Sequence, residues 1–141
     1  MKIALKLPGI FLMMMLMLTS TFAVAGPDGN CTKGPWVVVA QSDVLSHDGK
    51  LKLNAKVVQF ESICYAWPQM VHQLLVDVTR TDGVREIIFL ESQYIASDDQ
   101  GNILDTHDGS IATSDYRTYE DNDISNIEVL VPGFDPLKLN F

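Results

Sequence analysis

Trp36–Leu45 (WVVVAQSDVL), Ser46–Lys50 (SHDGK) and Leu51–Tyr65 (LKLNAKVVQFESICY) are the stretch whose reading decides the fold. Two runs rich in β-branched and aromatic residues flank a short segment holding Asp48-Gly49. In such a pair glycine takes the positive φ of a tight turn while the aspartate bonds back to the local backbone. The reading is a β-hairpin. Opposed residues of an antiparallel hairpin share a constant sum of residue numbers, here 96 or 97 according to loop type. That sum sets Cys31 opposite Tyr65 or Ala66, within one or two positions of Cys64.

Cys31 and Cys64 are the chain's two cysteines. A bridge between them clips the open end of the hairpin and closes a loop of about 34 residues, for which chain entropy gives roughly 3 to 4 kcal/mol. The chain has no C-x-x-C spacing of the kind that presents two thiols to a metal or a redox partner, so a structural disulfide is expected.

Outward from the hairpin, Asp-Gly recurs at Asp82-Gly83 and Asp108-Gly109, and Asp99-Gln100-Gly101-Asn102 is a close variant. Strands are expected between these turns, near Val84 to Ala96, Gly101 to Asp105, Ser110 to Arg117, Ile124 to Val131 and Leu137 to Phe141. A second hairpin is expected over Leu74 to Ser92, with a three-residue loop around Asp82-Gly83 that pairs Val76 with Ile88 and keeps Arg80 away from Arg85. Pro68 to Val78 carries two readings. His72, Leu74, Val76 and Val78 alternate as a strand does, whereas Trp67, Met70, Val71, Leu74, Leu75 and Val78 follow the spacing of one helix face. The fold class is therefore all-β, a small antiparallel β-sandwich or compact barrel of about seven to eight strands, with one short helix near residues 68–78 as the open alternative.

Residues 1–25 read as a cleavable signal peptide. Lys2 and Lys6 make a positive start, Ile10 to Leu18 is an unbroken apolar run, and Ala23-Val24-Ala25 supplies small residues for cleavage. The run falls well short of the roughly 20 residues needed to cross a bilayer, so no stable membrane insertion is expected after cleavage. Gly26 stands where a lipoprotein would have cysteine. Residues 26–141 are expected to form a single β-rich domain in the periplasm or outside the cell.

The whole chain has a formal charge of −8; without the signal peptide's two lysines it is 8 − 18 = −10. A chain this acidic repels phosphate backbones, and it lacks a basic stripe interleaved with aromatics, so nucleic acid is not an expected partner. The charge is concentrated. Asp98 to Asp135 holds ten acids and one base, Arg117.

Candidate functional residues follow from that concentration. Asp98, Asp99, Asp105 and Asp108 sit near expected turns and offer the oxygen ligands that calcium takes, although they do not match an EF-hand loop. Tyr94, Tyr116 and Tyr119, with Glu120, Asp121 and Asp123, form the mixture of rings and charge suited to docking a basic protein. His47-Asp48-Gly49 and His107-Asp108-Gly109 are the same tripeptide, and both are expected as hairpin tips with solvent-facing histidines. No nucleophile motif and no phosphate-cradling glycine pattern is present, and no cofactor is expected.

Leu137-Lys138-Leu139-Asn140-Phe141 alternates and ends in an aromatic. This is similar to the strand that closes bacterial outer-membrane barrels, but the chain is short for eight membrane-crossing strands and dense in acids. Two functions fit these features. One is a non-enzymatic binding protein of the cell envelope that uses its acidic C-terminal surface against a basic protein, an inhibitor being one form. The other is a structural subunit of a surface fibre or secretion assembly joined by β-strand addition.

Overall fold

The Ser46–Lys50 turn forms as its residues dictate. Gly49 has φ 72°, and Ser46 Oγ donates to Asp48 Oδ1 at 2.6 Å while accepting the Leu51 amide at 2.9 Å. From this turn β2 (Val37–Leu45) and β3 (Leu51–Cys64) run antiparallel. The computed structural model describes residues 31–64 and 67–141, so the signal-peptide reading of residues 1–25 lies outside the described residues.

The other strands are β1 (Thr32–Lys33), β4 (Trp67–Arg80), β5 (Phe89–Ser97), β6 (Ile103–Ala112), β7 (Ser114–Tyr119), β8 (Asn126–Leu130) and β9 (Leu137–Asn140). The described chain is all-β, and every ladder whose register is resolved is antiparallel. It divides into two compact units. The described part of the smaller comprises Cys31–Gly34, Glu61–Cys64 and Trp67–Gln69, and the larger comprises Pro35–Phe60 and Met70–Phe141.

In the smaller unit Thr32 pairs with Ile63 and Lys33 with Ser62, sums of 95, which sets Cys31 directly opposite Cys64. The disulfide joins them with a Cα–Cα distance of 4.4 Å, the spacing of a non-hydrogen-bonded antiparallel pair. The expected register missed by one or two because a bulge at Val38/Ala40 separates sums of 96 and 97 within β2–β3, and β1 drops it once more.

In the larger unit the hydrogen-bonded order runs β2-β3-β4-β7-β6-β5-β8-β9. One link in it is slight. β6 and β7 share a single pair, Ala112↔Ser114, so the order parts into a first sheet, β2-β3-β4-β7, and a second, β6-β5-β8-β9. Leu53, Val57, Leu74 and Val78 of the first share one buried cluster with Ile111, Ile127, Val129 and Leu139 of the second. That sharing requires the sheets to face each other as a small β-sandwich. Each such side chain contributes about 1.5 to 3 kcal/mol on burial.

Residues 67–80 are a strand, not a helix. Leu74, Val76 and Val78 point into the main core, while Val71 and Leu75 on the opposite face pack with Val58 and Phe60. Apolar residues needed on both faces of one strand imitate helical spacing. The Leu74–Ser92 hairpin is also absent. β4 lies between β3 and β7, and β5 lies between β6 and β8. Asp82-Gly83 does turn the chain, but Arg80 holds both Asp82 and Glu86, and the segment leads from the first sheet to the second.

Residues 110–117 do not form one strand either. Thr113 sits at φ 63°, a conformation that a β-branched residue adopts only when its surroundings enforce it. The Thr113 amide donates to Ile88 O at 2.7 Å, Val78 N donates to Thr113 O at 2.8 Å, and Ile88 N donates to Thr113 Oγ1 at 3.1 Å. Thr113 is thus the pivot at which the chain passes from β6 in the second sheet to β7 in the first.

Candidate functional site

Strand parity decides which residues of the second sheet face outward. On β5 and β6 the inward positions include Tyr94, Ala96, Asp105 and His107, and the outward ones include Glu91, Gln93, Thr106 and Asp108. Glu128 and Leu130 on β8 and Lys138 on β9 continue the outer face. Glu91, Asp108 and Glu128 therefore share one face with a single lysine, and the exposed loop acids Asp99, Glu120, Asp121 and Asp123 lie in the two connections that meet the β5–β8 ladder at its Ser97↔Asn126 end. The first sheet's outer face is balanced, with Lys52 and Lys56 against Asp43 and Asp77, and Lys52 paired to Asp43 at 3.1 Å.

The tyrosines expected to anchor a partner separate in the structure. Tyr94 is fully buried, and its hydroxyl donates to Asp115 Oδ2 at 2.7 Å; burial pushes its pKa well above the ordinary range. Tyr119 is also buried. Its ring lies 5.5 Å from the Arg117 guanidinium, its hydroxyl has no hydrogen-bond partner of good geometry, and burial pushes its pKa up to about 12. Tyr116 is 68 % exposed, but it stands on β7 opposite Leu75, on the outer face of the first sheet. The three rings do not share a surface with the acids.

The aspartates considered for calcium separate as well. Asp98 serves its own turn: Oδ1 accepts the Gln100 and Asn102 amides at 3.0 and 2.8 Å, and Oδ2 accepts Asn102 Nδ2 at 3.0 Å. Hydrogen bonds from Asn102 hold its carboxyl below the usual range. Asp105 faces inward and pairs with Arg117 at 2.9 Å, Asp108 faces outward and accepts from Gln93 Nε2 at 2.8 Å, and Asp99 is exposed in the turn. Among the described residues no group of three or more His, Cys, Asp or Glu side chains is arranged to hold a metal ion.

The two His-Asp-Gly tripeptides have different fates. His47-Asp48-Gly49 is a hairpin tip, with His47 Nε2 3.0 Å from Asp135 Oδ1. His107-Asp108-Gly109 lies in mid-strand, where Gly109 serves close approach: a Cβ there would meet His107 Nε2 at 3.2 Å. The third histidine, His72, is buried with Nδ1 unpartnered, its ring 4.9 Å from Phe141. Burial lowers its pKa.

A groove of about 870 Å³ opens beside the acidic face, between the first half of β5 and residues 130–134. Its origin is local. The β5–β8 ladder ends at Gln93↔Leu130, and Pro132, which has no N–H, cannot extend it. The chain then turns at Gly133, φ 88°, and reaches the β2–β3 turn through the Ser46↔Phe134 bridge. Phe89–Ser92 remain paired to β6, but among the described residues they have no strand on the other side. The pattern Leu130-Val131-Pro132-Gly133 was the signal in the sequence, because a proline just after a strand marks where its ladder stops. Comparison of the chain with protein families, with characterised proteins and with solved structures finds no match.

Proposed function

We propose that this is an exported, non-enzymatic binding protein that docks a basic protein on the acidic outer face of its second sheet. The observation that supports the reading is the unequal charge of the two outer faces: Glu91, Asp108 and Glu128 against Lys138 on one, and balanced Lys52, Lys56, Asp43 and Asp77 on the other. The disulfide fits an oxidising compartment. Tyr94 and Tyr119 are structural in this reading, and the anchoring surface is the groove wall of Leu130, Pro132 and Phe134.

Binding of this kind is steered by charge and weakens with salt. The test is retention of a basic protein on the immobilised chain as ionic strength rises from about 0.01 M to about 1 M, over which the Debye length falls from roughly 30 Å to 3 Å. Retention that disappears with salt supports the reading. Retention of no basic protein at low salt overturns it.

A structural subunit joined by strand addition is the second reading, and one observation favours it: β6 and β7 part after Ala112↔Ser114, leaving two strand edges without backbone partners from each other. The donor is not Leu137–Phe141, because β9 is already paired with β8 and buries Leu137 and Leu139. A proline at Thr106 on β6 should abolish polymer formation in this reading, and unchanged assembly would count against it.

A further inference from the structure

We propose that the groove beside β5 binds a short extended segment of the basic partner, which pairs its main chain with the free edge of Phe89–Ser92 and sets a Lys or Arg side chain between Glu91 and Asp108. This rests on the proposed acidic-face reading and names the part of the partner that is recognised.

Three observations converge on it. The first is geometric: β5 runs four residues beyond the end of its ladder with β8, so among the described residues one short strand position beside Phe89–Ser92 is vacant. Strand edges of this kind recruit extended peptides through main-chain hydrogen bonds. The second is charge. Glu91 stands opposite Ser110, and Asp108 stands opposite Gln93, so the two carboxylates are diagonal neighbours on the outer face; among the described residues no Lys or Arg lines the groove. Asp108 gives one oxygen to Gln93 and keeps the other.

The third is chemical. Leu130, Pro132 and Phe134 form the apolar wall, which suits an aliphatic residue next to the cation or the stem of the cation itself.

The experiment measures binding of the capped hexapeptide acetyl-Lys-Val-Lys-Val-Lys-Val-amide to the purified disulfide-bonded protein at low salt. The comparison variants are E91Q/D108N in the groove and E120Q/D121N/D123N in the β7–β8 loop. Saturable binding is expected, weakened about tenfold by the groove substitutions and less than about threefold by the loop substitutions. Two further peptides are N-methylated on one or the other set of alternating amides. One should lose binding and the other keep it, because only one set faces β5.

No binding of the parent peptide overturns the groove, as does equal binding of both methylated peptides. If the loop substitutions abolish binding and the groove substitutions do not, the groove is overturned while an acidic docking surface stands. The acidic surface itself fails separately, through absence of salt-sensitive retention of a basic protein.

Discussion

The first sheet buries apolar side chains on both of its faces, whereas the second buries one face and leaves the other exposed, where charged side chains stand among Phe89, Ile95 and Leu104. On the first sheet Val58, Phe60 and Val71 are 2 to 4 % exposed although they point away from the main core, and Trp36 stacks on Phe60 with ring centroids 5.4 Å apart. The corresponding face of the second sheet presents Glu91, Asp108 and Glu128, with Leu130 half-buried beside the groove. Packing on two faces holds a sheet rigid. A sheet held from one side keeps the other available for recognition, and in this molecule that is also the sheet with an incomplete ladder.

The two outer faces should differ most visibly under truncation. Phe60→Ala on the outer face of the first sheet should destabilise by about 3 to 5 kcal/mol, as a core phenylalanine does, whereas Leu130→Ala on the outer face of the second should cost under about 1 kcal/mol because its side chain is already half in water. Chemical denaturation of the two variants decides it. Similar losses would mean that the outer faces do not differ.

Where the sheets part, between β6 and β7, side chains replace the ladder. Tyr94 reaches Asp115 and Arg117 reaches Asp105 across the gap. Asp115→Ala leaves the Tyr94 hydroxyl buried without its acceptor, and a loss of about 1 to 3 kcal/mol is expected. Adding Tyr94→Phe should recover much of it. A double variant no more stable than D115A would show that the bond does not bridge the sheets.

Two inward residues of the first sheet, opposite each other at His72↔Tyr119, should give the molecule two pH limbs. The Tyr119 pKa is raised from 10.0 to about 12 by burial, so its contribution is complete below about pH 10 and is lost as pH rises from 10 through 12. The His72 pKa is lowered from 6.5 by burial, so its contribution is complete above pH 6.5 and is lost as pH falls through the lower folded value. Melting temperature against pH should show both limbs. Tyr119→Phe should make the alkaline one shallower, with Tyr94, whose pKa burial also raises, supplying the remainder, and should leave the acid one in place; an unchanged alkaline limb would contradict the assignment.

The smallest stability effect is expected from the groove carboxylates. E91Q/D108N should move unfolding free energy by no more than about 0.5 kcal/mol, as exposed substitutions do. A large loss would mean that these acids hold the sheet together and are not free for a partner.

Much of this architecture was legible in the sequence. Alternation around Ser46–Lys50 foretold the first hairpin and brought Cys31 near Cys64, and turn residues spaced along the chain foretold an antiparallel β-domain. What stayed illegible is physical. Val71 and Leu75 on one face of β4 and Leu74 and Val78 on the other look like a helix stripe until both faces are known to be covered. Gly83 and Gly49 have φ 77° and 72° and the same Asp-Gly signature, yet one turn crosses between sheets and the other closes a hairpin, because pairing partners are chosen far along the chain. Gly109 resembles a turn glycine but serves the His107 ring, and nothing local marks Thr113 as the pivot. The acidic segment Asp98 to Asp135 was visible as charge; that Asp105 and Asp115 turn inward while Asp108 turns outward is a matter of strand parity, and the expected break near residue 105 concealed it.

The most direct test of the account is a residue-resolved NMR titration of the disulfide-bonded protein with the Lys-Val hexapeptide at low salt. Amide shifts are expected to concentrate in Phe89–Gln93, Asp108–Ser110 and Leu130–Phe134, with the outer face of the first sheet around Lys52, Lys56 and Tyr116 silent. Shifts centred on the first sheet, or spread evenly over both, would contradict it.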